Sequence, residues 1–375
     1  MDDLFRAAML LNAAQVNVNA FYLLKASYEL KDFFNRPELW EKLGLTANAQ
    51  KRLGDLLVDN SWPERELDKA NKLGANFIYL DSPEYPARLK EIRNAPIGLY
   101  VWGDMDFAKF AVKSAAIVGT RRCSHYGKNT AESLGQALAQ AGFAVISGGA
   151  KGIDAAGHMG CLKAHGFTVA VLGTGIDVVY PSEHRELFEE IARHGALVSE
   201  YALGVNGEQW HFPARNRIIM GMASRVVVVE SPVDGGAMGT AKLAFEAGRE
   251  VWSVPGRIGE EMCRGTNNLI RDGSHVLTDI GEFIKAIGGS SGQMLLNFDQ
   301  PQQANNNINN NNNLAKLSPD EQKVLAVIEK GNNMTFDEIL RQSGLDFAAL
   351  QLCLINLSGE KLINQSMAGR YSALT

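Results

Sequence analysis

Short apolar runs alternate with amphipathic stretches through the middle of the chain, between about residues 113 and 288. The runs are rich in β-branched residues and lie at residues 115–118, 144–147, 168–172, 226–230 and 251–254. Apolar residues with helical spacing occur between and after them, at about residues 128–141, 154–165, 183–194, 237–248 and 279–287. Continuous β-branched runs that alternate with helices predict a parallel sheet covered on both faces. We therefore predict a doubly wound α/β domain.

The chain before this domain has a different pattern. Leu4, Ala7 and Leu11 follow helical spacing, and proline and glycine residues divide the first 75 residues into several short helices. Two extended segments follow, at residues 75–80 and 99–102. The predicted boundaries are residues 1–75 for a small helical N-terminal domain and residues 76–289 for the α/β core.

An asparagine-rich segment separates the core from the end of the chain. Residues 305–313 are almost entirely asparagine, and no periodic apolar pattern crosses residues 290–315, so we interpret the latter as a flexible linker. Residues 316–375 then contain two Ser/Thr-x-x-Glu capping boxes, which begin at Ser318 and Thr335. Three predicted helices followed by a small hairpin are typical of a winged-helix-like domain.

Composition and charge limit the classes of function. The chain is 46% apolar and 21% charged, which excludes wholesale disorder. Its formal net charge is −5, so any nucleic-acid site must be a local basic patch. The four cysteines are far apart in sequence, and neither a metal site, a disulfide framework nor a cofactor is expected. An acidic N-terminus and the lack of an apolar run of about eighteen residues predict no signal peptide, no membrane span and a cytoplasmic location.

Glycine-rich loops follow several predicted strands, beginning at Gly119, Ser147, Gly173 and Gly235. The carboxyl ends of parallel strands lie along one edge of a sheet, so these loops should meet there. Glycine lets an anion approach the backbone, and helix N-termini supply unpaired N–H groups. Tight turns alone also need glycine, but four such loops, two of them with cations, predict a polyanion site. The candidate residues on and after these loops are Gly119, Thr120, Arg121, Arg122, Ser147, Gly148, Gly149, Lys151, Gly152, Gly236 and Lys242.

A cluster of aromatic and basic residues occupies positions 210–217. Aromatic rings offer stacking faces to unpaired bases, arginines neutralise phosphates, and the Asn216 amide can hydrogen-bond to a base. This combination suits a single strand of nucleic acid. The alternative is that Trp210 and Phe212 only anchor a loop on the core. The candidate contacts in this cluster are Phe212, Arg215, Asn216 and Arg217.

The familiar catalytic and nucleotide-binding signatures are absent from the sequence. It contains no G-x-G-x-x-G after the first strand, no P-loop, no HExxH and no G-x-S-x-G elbow. No nucleophile–base pair or paired carboxylates are evident, so we do not predict an enzyme. One enzymatic alternative is open, because residues 235–240 resemble the glycine-rich loop of the "lonely guy" phosphoribohydrolases. In this chain Asp234 replaces the proline of that loop and Leu243 its glutamate.

Several motifs in the core resemble those of the DprA/Smf family, and with their neighbours they span about residues 76–288. The resemblance implies an extended Rossmann-like core that binds single-stranded DNA. It also implies a role in natural transformation, in which the protein protects incoming strands, loads the RecA recombinase and forms homodimers. The clearest motifs are Ile-Val-Gly-Thr-Arg-Arg at 117–122, Ser-Gly-Gly-Ala-Lys-Gly-Ile-Asp at 147–154, Gly-Thr-Gly-Ile-Asp-Val-Val-Tyr-Pro at 173–181, Phe-Pro-Ala-Arg-Asn-Arg at 212–217 and Gly-Thr-Asn-Asn-Leu-Ile at 265–270.

The resemblance also implies particular site residues. The family's Gly-Ser-Arg element corresponds to Gly119, Thr120 and Arg121, where threonine keeps the hydroxyl, and its Phe-Pro-x-Arg-Asn-Arg element corresponds to residues 212–217. Many members begin with a helical, SAM-like domain that carries a glycine-rich hairpin. Residues 12–19 of this chain contain no glycine, so we expect no DNA-binding hairpin there.

The charge of the winged-helix-like domain argues against DNA binding. Residues 316–375 contain six cations and seven acids, a net charge of −1, and the predicted recognition helix at 346–357 has no cation. A helix that reads the major groove needs side chains that face bases and phosphates. We therefore expect this domain to contact protein or to regulate the chain itself.

Overall fold

The structure is a computed structural model that describes residues 2–288, 317–331, 334–359, 362–365 and 370–373. The chain divides into two compact units, Met1–Leu296 and Asn297–Thr375. The linker predicted at residues 290–315 lies outside the described residues. Within the described residues, no helix is both long enough and apolar enough to cross a bilayer.

Six helices form the N-terminal part of the first unit. They are α1 (Asp3–Ala13), α2 (Val18–Ser27), α3 (Leu30–Asn35), α4 (Glu38–Lys42), α5 (Ala47–Val58) and α6 (Trp62–Lys72). Side chains of Asp2, Asn17 and Thr46 cap α1, α2 and α5 by accepting hydrogen bonds from first-turn amides. The apolar residues of these helices share one core with Val118 and Ile146 of the sheet. The hydrophobic core therefore continues across the boundary predicted at residue 75.

A nine-stranded sheet lies at the centre of the first unit. Its strands are β1 (Ala75–Tyr79), β2 (Gly98–Gly103), β3 (Ser114–Val118), β4 (Ala144–Ser147), β5 (Thr168–Leu172), β6 (Ala196–Ser199), β7 (Arg225–Val228), β8 (Glu250–Ser253) and β9 (His275–Val276). Their order across the sheet is β1-β2-β6-β5-β4-β3-β7-β8-β9. Strands β3 to β9 pair in parallel, whereas β2 pairs antiparallel with both β1 and β6.

Helices cover both faces of this sheet, as the alternating pattern predicts. They are α7 (Ala87–Lys90), α8 (His125–Gln140), α9 (Ile153–Lys163), α10 (Arg185–His194), α11 (His211–Met222), α12 (Gly236–Glu246), α13 (Glu261–Arg271) and α14 (Ile280–Ala286). Successive residues of β3 point to opposite faces. Ala115 and Ile117 belong to a core shared with α8, α9 and α14, whereas Ala116 and Val118 belong to the core shared with α11 and α12. The predicted α/β class and doubly wound core are therefore confirmed.

Three elements near the site are not predicted by the sequence pattern: strand β6, helix α11 and helix α13. Strand β6 contains a single β-branched residue, Val198, so its apolar run does not stand out. Helix α11 contains residues 211–217 of the aromatic and basic cluster, where the alternative interpretation places a loop. Its buried residues include the five consecutive positions 218–222, which lie on several sides of the helix, so apolar and polar positions do not separate into two faces.

The second unit contains three helices and a small antiparallel sheet. The elements are α15 (Pro319–Gly331), β10 (Met334–Thr335), α16 (Phe336–Ser343), α17 (Phe347–Gly359), β11 (Ile363–Gln365) and β12 (Arg370–Ala373). Strand β12 pairs with both β10 and β11. The capping box that begins at Thr335 is present at the start of α16, and Ser318 exchanges the corresponding hydrogen bonds with Glu321. The three helices and the strands β11 and β12 lie where the sequence predicts them, and β10 is an additional short strand; the winged-helix-like assignment of this unit stays a prediction.

Candidate nucleic-acid interface

Loops that follow β3, β4, β5 and β7 open into one cleft at the carboxyl edge of the sheet. These four strands are neighbours in the order β5-β4-β3-β7, so their C-terminal loops lie side by side. The cleft has a volume of about 770 Å³. A recess of about 60 Å³ beside it is lined by Gly148 and Lys151. The predicted residues that line the cleft itself are Gly119, Thr120, Arg121, Arg122, Phe212, Arg215, Asn216 and Gly236.

The loop after β3 is fixed by its backbone and leaves two arginines exposed. The Thr120 amide donates to the carbonyl oxygen of Glu230 at 2.7 Å, and the Thr120 hydroxyl accepts from the Arg122 amide at 3.2 Å. Arg121 and Arg122 are exposed, and neither pairs with a carboxylate of a described residue. The Arg121 guanidinium lies 5.3 Å from the centre of the Phe212 ring, at cation–π distance. The predicted cations are thus available at the mouth of the cleft.

The loop after β4 turns some of its predicted contacts inwards. Ser147 is buried and its hydroxyl donates to the Ile117 carbonyl at 2.6 Å, so it ties β4 to β3 rather than facing the cleft. Gly149 is also buried, against Phe188. Lys151 is exposed and forms an ion pair with Glu183. Of this loop, Lys151 and Gly148 reach the recess, and Gly152 lies behind the loop after β3.

Arg215 lies beneath the loop after β4, where it is only 4% exposed. Its guanidinium donates to the Gly148 carbonyl at 2.6 Å and also to the Val171 carbonyl. On the other side of the same loop, the Asp154 carboxylate accepts from the amides of Gly148 and Ala150 at 3.1 and 3.4 Å. Burial lowers the pKa of Arg215 to about 10 and raises the pKa of Asp154, while the nearby opposite charges act against both shifts. The two side chains therefore hold the loop together, Arg215 through the Gly148 carbonyl and Asp154 through the loop amides.

Helix α11 divides its predicted residues between two surfaces. Phe212 and Asn216 face the cleft, and the Asn216 amide lies 3.4 Å from the Gly236 carbonyl. Arg217 points elsewhere, because its guanidinium is paired with the Glu200 carboxylate at 2.6 and 2.8 Å. It lines a separate cleft of about 840 Å³ beside α2 and α12. Asn216 and Arg217 are about 100° apart around the helix and so face different surfaces. The sequence analysis did not predict a helix here and therefore could not separate the two residues.

The last loop contributes a helix N-terminus to the cleft. Helix α12 begins at Gly236 with no side-chain cap, and Gly236 and Ala237 both line the cleft. First-turn amides of a helix attract anions because they are unpaired and lie at the positive end of the dipole. Lys242 lies two turns further on, exposed, with its ammonium 4.0 Å from the Glu246 carboxylate and outside the cleft lining.

One aromatic residue of the cleft was missed by the sequence analysis. Tyr180 is 49% exposed and lines both the cleft and the recess. Its ring centre lies 5.2 Å from that of Phe212. The sequence offered one indication of its role, namely its position in the family motif at residues 173–181, in the loop after β5. A single tyrosine after a glycine turn is not, however, a recognisable binding motif.

The cleft does not favour the phosphoribohydrolase alternative. Leu243, which occupies the position of the catalytic glutamate, lines the separate cleft and not this one. The lining contains two carboxylates. That of Asp154 is buried and accepts hydrogen bonds from loop amides, whereas that of Glu261 is exposed. No group of three or more potential metal ligands occurs among the residues that the structure describes.

Residues 76–288 match the family described as DNA recombination-mediator protein A. The chain is 33% identical over 337 residues to protein Smf of Synechocystis sp., an alignment that covers 84% of each chain. It is 40% identical over 221 residues to the DNA processing protein DprA of Streptococcus pneumoniae, across 59% of this chain and 76% of that protein.

Solved structures of similar fold belong to the same group of DNA processing proteins. The X-ray structure of DprA from Streptococcus pneumoniae superposes with a TM-score of 0.65 and 31% identity, over 76% of this chain and 98% of that one. A structure of DprA from Helicobacter pylori, reported for its single-stranded DNA binding mode, gives a TM-score of 0.52 and 28% identity over 56% of this chain and 95% of that one. With a family match over more than half its length and a fold shared with these proteins, the chain belongs to the DNA recombination-mediator protein A family, also called DprA/Smf.

Proposed function

We propose that this recombination mediator binds single-stranded DNA in the cleft at the carboxyl edge of its sheet. The observation that carries the proposal is that exposed Arg121 and Arg122 line a cleft whose wall holds the rings of Tyr180 and Phe212, with exposed Lys151 in the adjoining recess. Cations along a groove together with aromatic rings suit a strand whose bases are unstacked. The Helicobacter pylori relative, whose structure concerns single-stranded DNA, supports the choice of ligand.

The phosphates would be held by cations and amides together. Arg121 and Arg122 stand on one side of the cleft, and the uncapped N-terminus of α12 stands on another. Both groups attract phosphate without reading the base, so binding would be tolerant of sequence. With a formal net charge of −5, the chain as a whole does not attract nucleic acid, so this attraction would depend on local cations such as those of the cleft.

The test is the salt dependence of binding to a fluorescent oligo-dT. Neutralised phosphates release counterions, so the logarithm of affinity should fall linearly with the logarithm of salt concentration. Arg121→Ala should weaken binding to all sequences by a similar factor and reduce the slope by about 0.7, the value for one phosphate contact on a single strand. Arg193→Ala, an exposed arginine on α10 outside the cleft, is the matched control and should change neither quantity. Salt-independent affinity, or an unchanged Arg121→Ala variant, would contradict the proposal.

We further propose that the protein acts in natural transformation, delivers its bound strand to RecA, and works as a homodimer through its core. The description of the family as a recombination mediator supports the first two points. The edge strand β9 supports self-association, because His275 and Val276 are exposed there and an unpaired edge is a template for pairing. Two measurements test this: sedimentation should give a dimer mass, and the protein should speed RecA assembly on strands coated with single-strand binding protein. A monomer without effect on RecA would oppose both.

We also propose that the cleft binds without catalysing a reaction. The lining of the cleft supports this. Among the described residues it contains the exposed carboxylate of Glu261 but no nucleophile–base pair. A nucleobase-release assay on AMP, run beside the DNA-binding assay, tests this directly. Release of adenine at a rate that follows protein concentration would revive the phosphoribohydrolase alternative.

A further inference from the structure

The two aromatic residues of the cleft differ in how much of their ring is accessible. The Phe212 ring is partly covered by its neighbours. A Cβ placed on Gly173 or on Gly207 would lie 2.9 Å from its ring atoms, so both glycine backbones are in close contact with the ring. The Arg121 guanidinium lies 5.3 Å from its centre and the Tyr180 ring 5.2 Å from it. Phe212 is half-buried although it lines the cleft and the recess, so a smaller fraction of it than of Tyr180 is accessible to a base.

Tyr180, in contrast, presents its ring to the cleft. It is 49% exposed, although it lines both the cleft and the adjoining recess. Its hydroxyl makes no hydrogen bond to any residue that the structure describes. Its ring centre lies 5.2 Å from that of Phe212, with the two rings inclined at 38°, so Phe212 packs beside a ring that remains half exposed. An aromatic ring that is backed by a second ring and open to a charged cleft is suited to stack against a planar ligand.

We infer that Tyr180 is the residue on which an unpaired nucleobase stacks, and that Phe212 positions Tyr180 and Arg121 instead of contacting the base. This inference rests on the proposed function, because it concerns the same cleft. Arg121 lines the same recess as Tyr180, as does Lys151, so the phosphates on either side of the stacked base would meet these two cations. The assignment explains why two cations and two rings are gathered at one place: one ring binds the base and the other maintains the geometry.

The test compares two probes that carry the same phosphates. One is a fluorescent oligo-dT and the other an oligonucleotide of equal length with abasic sites. Tyr180→Ala should weaken oligo-dT binding by about five- to a hundred-fold, the range for one lost base–aromatic contact, and should leave the weaker binding of the abasic probe unchanged. Tyr180→Phe keeps the ring and should bind oligo-dT within about two-fold of the wild type, on the scale of a retained stacking contact.

Tyr126→Ala provides the matched control, since Tyr126 is a 53% exposed tyrosine on α8 that does not line the cleft. It should bind both probes as the wild type does. Phe212→Leu should weaken both probes and lower the melting temperature, because it removes the support of Arg121 as well as of Tyr180. Equal weakening of both probes by Tyr180→Ala, or no weakening, would overturn the inference while the proposed function stands. Failure of the wild-type protein to bind oligo-dT at low salt would instead overturn the proposed function.

A photochemical experiment gives an independent readout. Oligo-dT that carries one 5-iododeoxyuridine should crosslink to Tyr180 on irradiation, and mass spectrometry of the digested complex would locate the bond. A crosslink to Phe212 in the wild-type protein would show that Phe212 contacts the base and would overturn the inference.

Discussion

Arg215 shows how the role of one residue depends on its surroundings. Its motif and its neighbours suggest a phosphate contact, but the guanidinium is buried and bonded to the carbonyls of Gly148 and Val171. A buried cation keeps its charge only where such partners compensate for lost hydration. We propose that Arg215 supports the loop after β4 and acts on the ligand through it.

Substitution of Arg215 separates these two roles. Arg215→Met should lower the free energy of unfolding by about 1.5–3 kcal/mol for each charged hydrogen bond that is lost. Oligonucleotide affinity should also fall, because the loop that presents Gly148 and Lys151 loses its support. The salt slope should stay as in the wild type, since no phosphate contact is removed. Chemical denaturation measures the free energy of unfolding, and titration at several salt concentrations measures the affinity and the salt slope. A lower slope with unchanged stability would mean that Arg215 contacts phosphate directly.

At the scale of elements, the site depends on backbone contact between two loops, those that follow β3 and β4. Gly152, the residue before α9, has φ +81°, and a Cβ there would lie 2.5 Å from the Thr120 carbonyl oxygen and 2.8 Å from that of Arg121. The Ile153 amide donates to the Thr120 carbonyl at 3.3 Å. The loops after β3 and β4 are therefore in backbone contact, which only glycine allows at this conformation.

Gly152→Ala should disturb both loops at once. We expect a loss of about 1–3 kcal/mol in the free energy of unfolding, the cost of a strained backbone conformation, together with weaker oligonucleotide binding. Gly239→Ala on α12 is the control, because a Cβ there has open space and alanine is the better helix former, so stability should hold or rise. Thermal unfolding of both variants checks this. A Gly152→Ala protein as stable as the wild type would show that this contact tolerates a side chain.

The same scale shows which elements could be read from the sequence. All five β-branched runs correspond to strands, because a strand buried on both faces needs continuous apolar residues. Strand β6 was missed because it contains only one β-branched residue, Val198. Helix α11 was missed since burial on several sides removes the helical period by which a surface helix is recognised.

For the whole molecule, the distribution of charge separates the two compact units. In the first unit the exposed Arg121 and Arg122 line the cleft, whereas residues 316–375 have a net charge of −1. Helix α17 contains no charged residue and exposes Phe347 and Leu352, each at 62%. Exposed apolar side chains on an uncharged helix favour a protein contact over DNA.

Removal of the second unit is therefore expected to spare DNA binding. A chain that ends at Gly288 should bind oligo-dT within a few-fold of the full-length protein, because the described residues that line the cleft all precede that point. Parallel titrations of the two proteins under one salt condition measure this. A hundred-fold loss, equivalent to about 2.7 kcal/mol, would show that the second unit binds DNA.

The sequence by itself determined the alternation of strands and helices, the glycine loops at the strand ends and the family motifs. These features are local, and parallel strands necessarily bring their C-terminal ends to one edge. The tertiary structure alone decided which side chains face the cleft. Arg121 and Arg122 face the cleft, whereas Arg215 is buried beneath a loop. Arg217 pairs with Glu200 on another surface. Tyr180 lines the cleft although the sequence analysis did not select it. The reason is physical: the direction of a side chain depends on helix phase and on partners distant in sequence, and neither is encoded in a motif of a few residues.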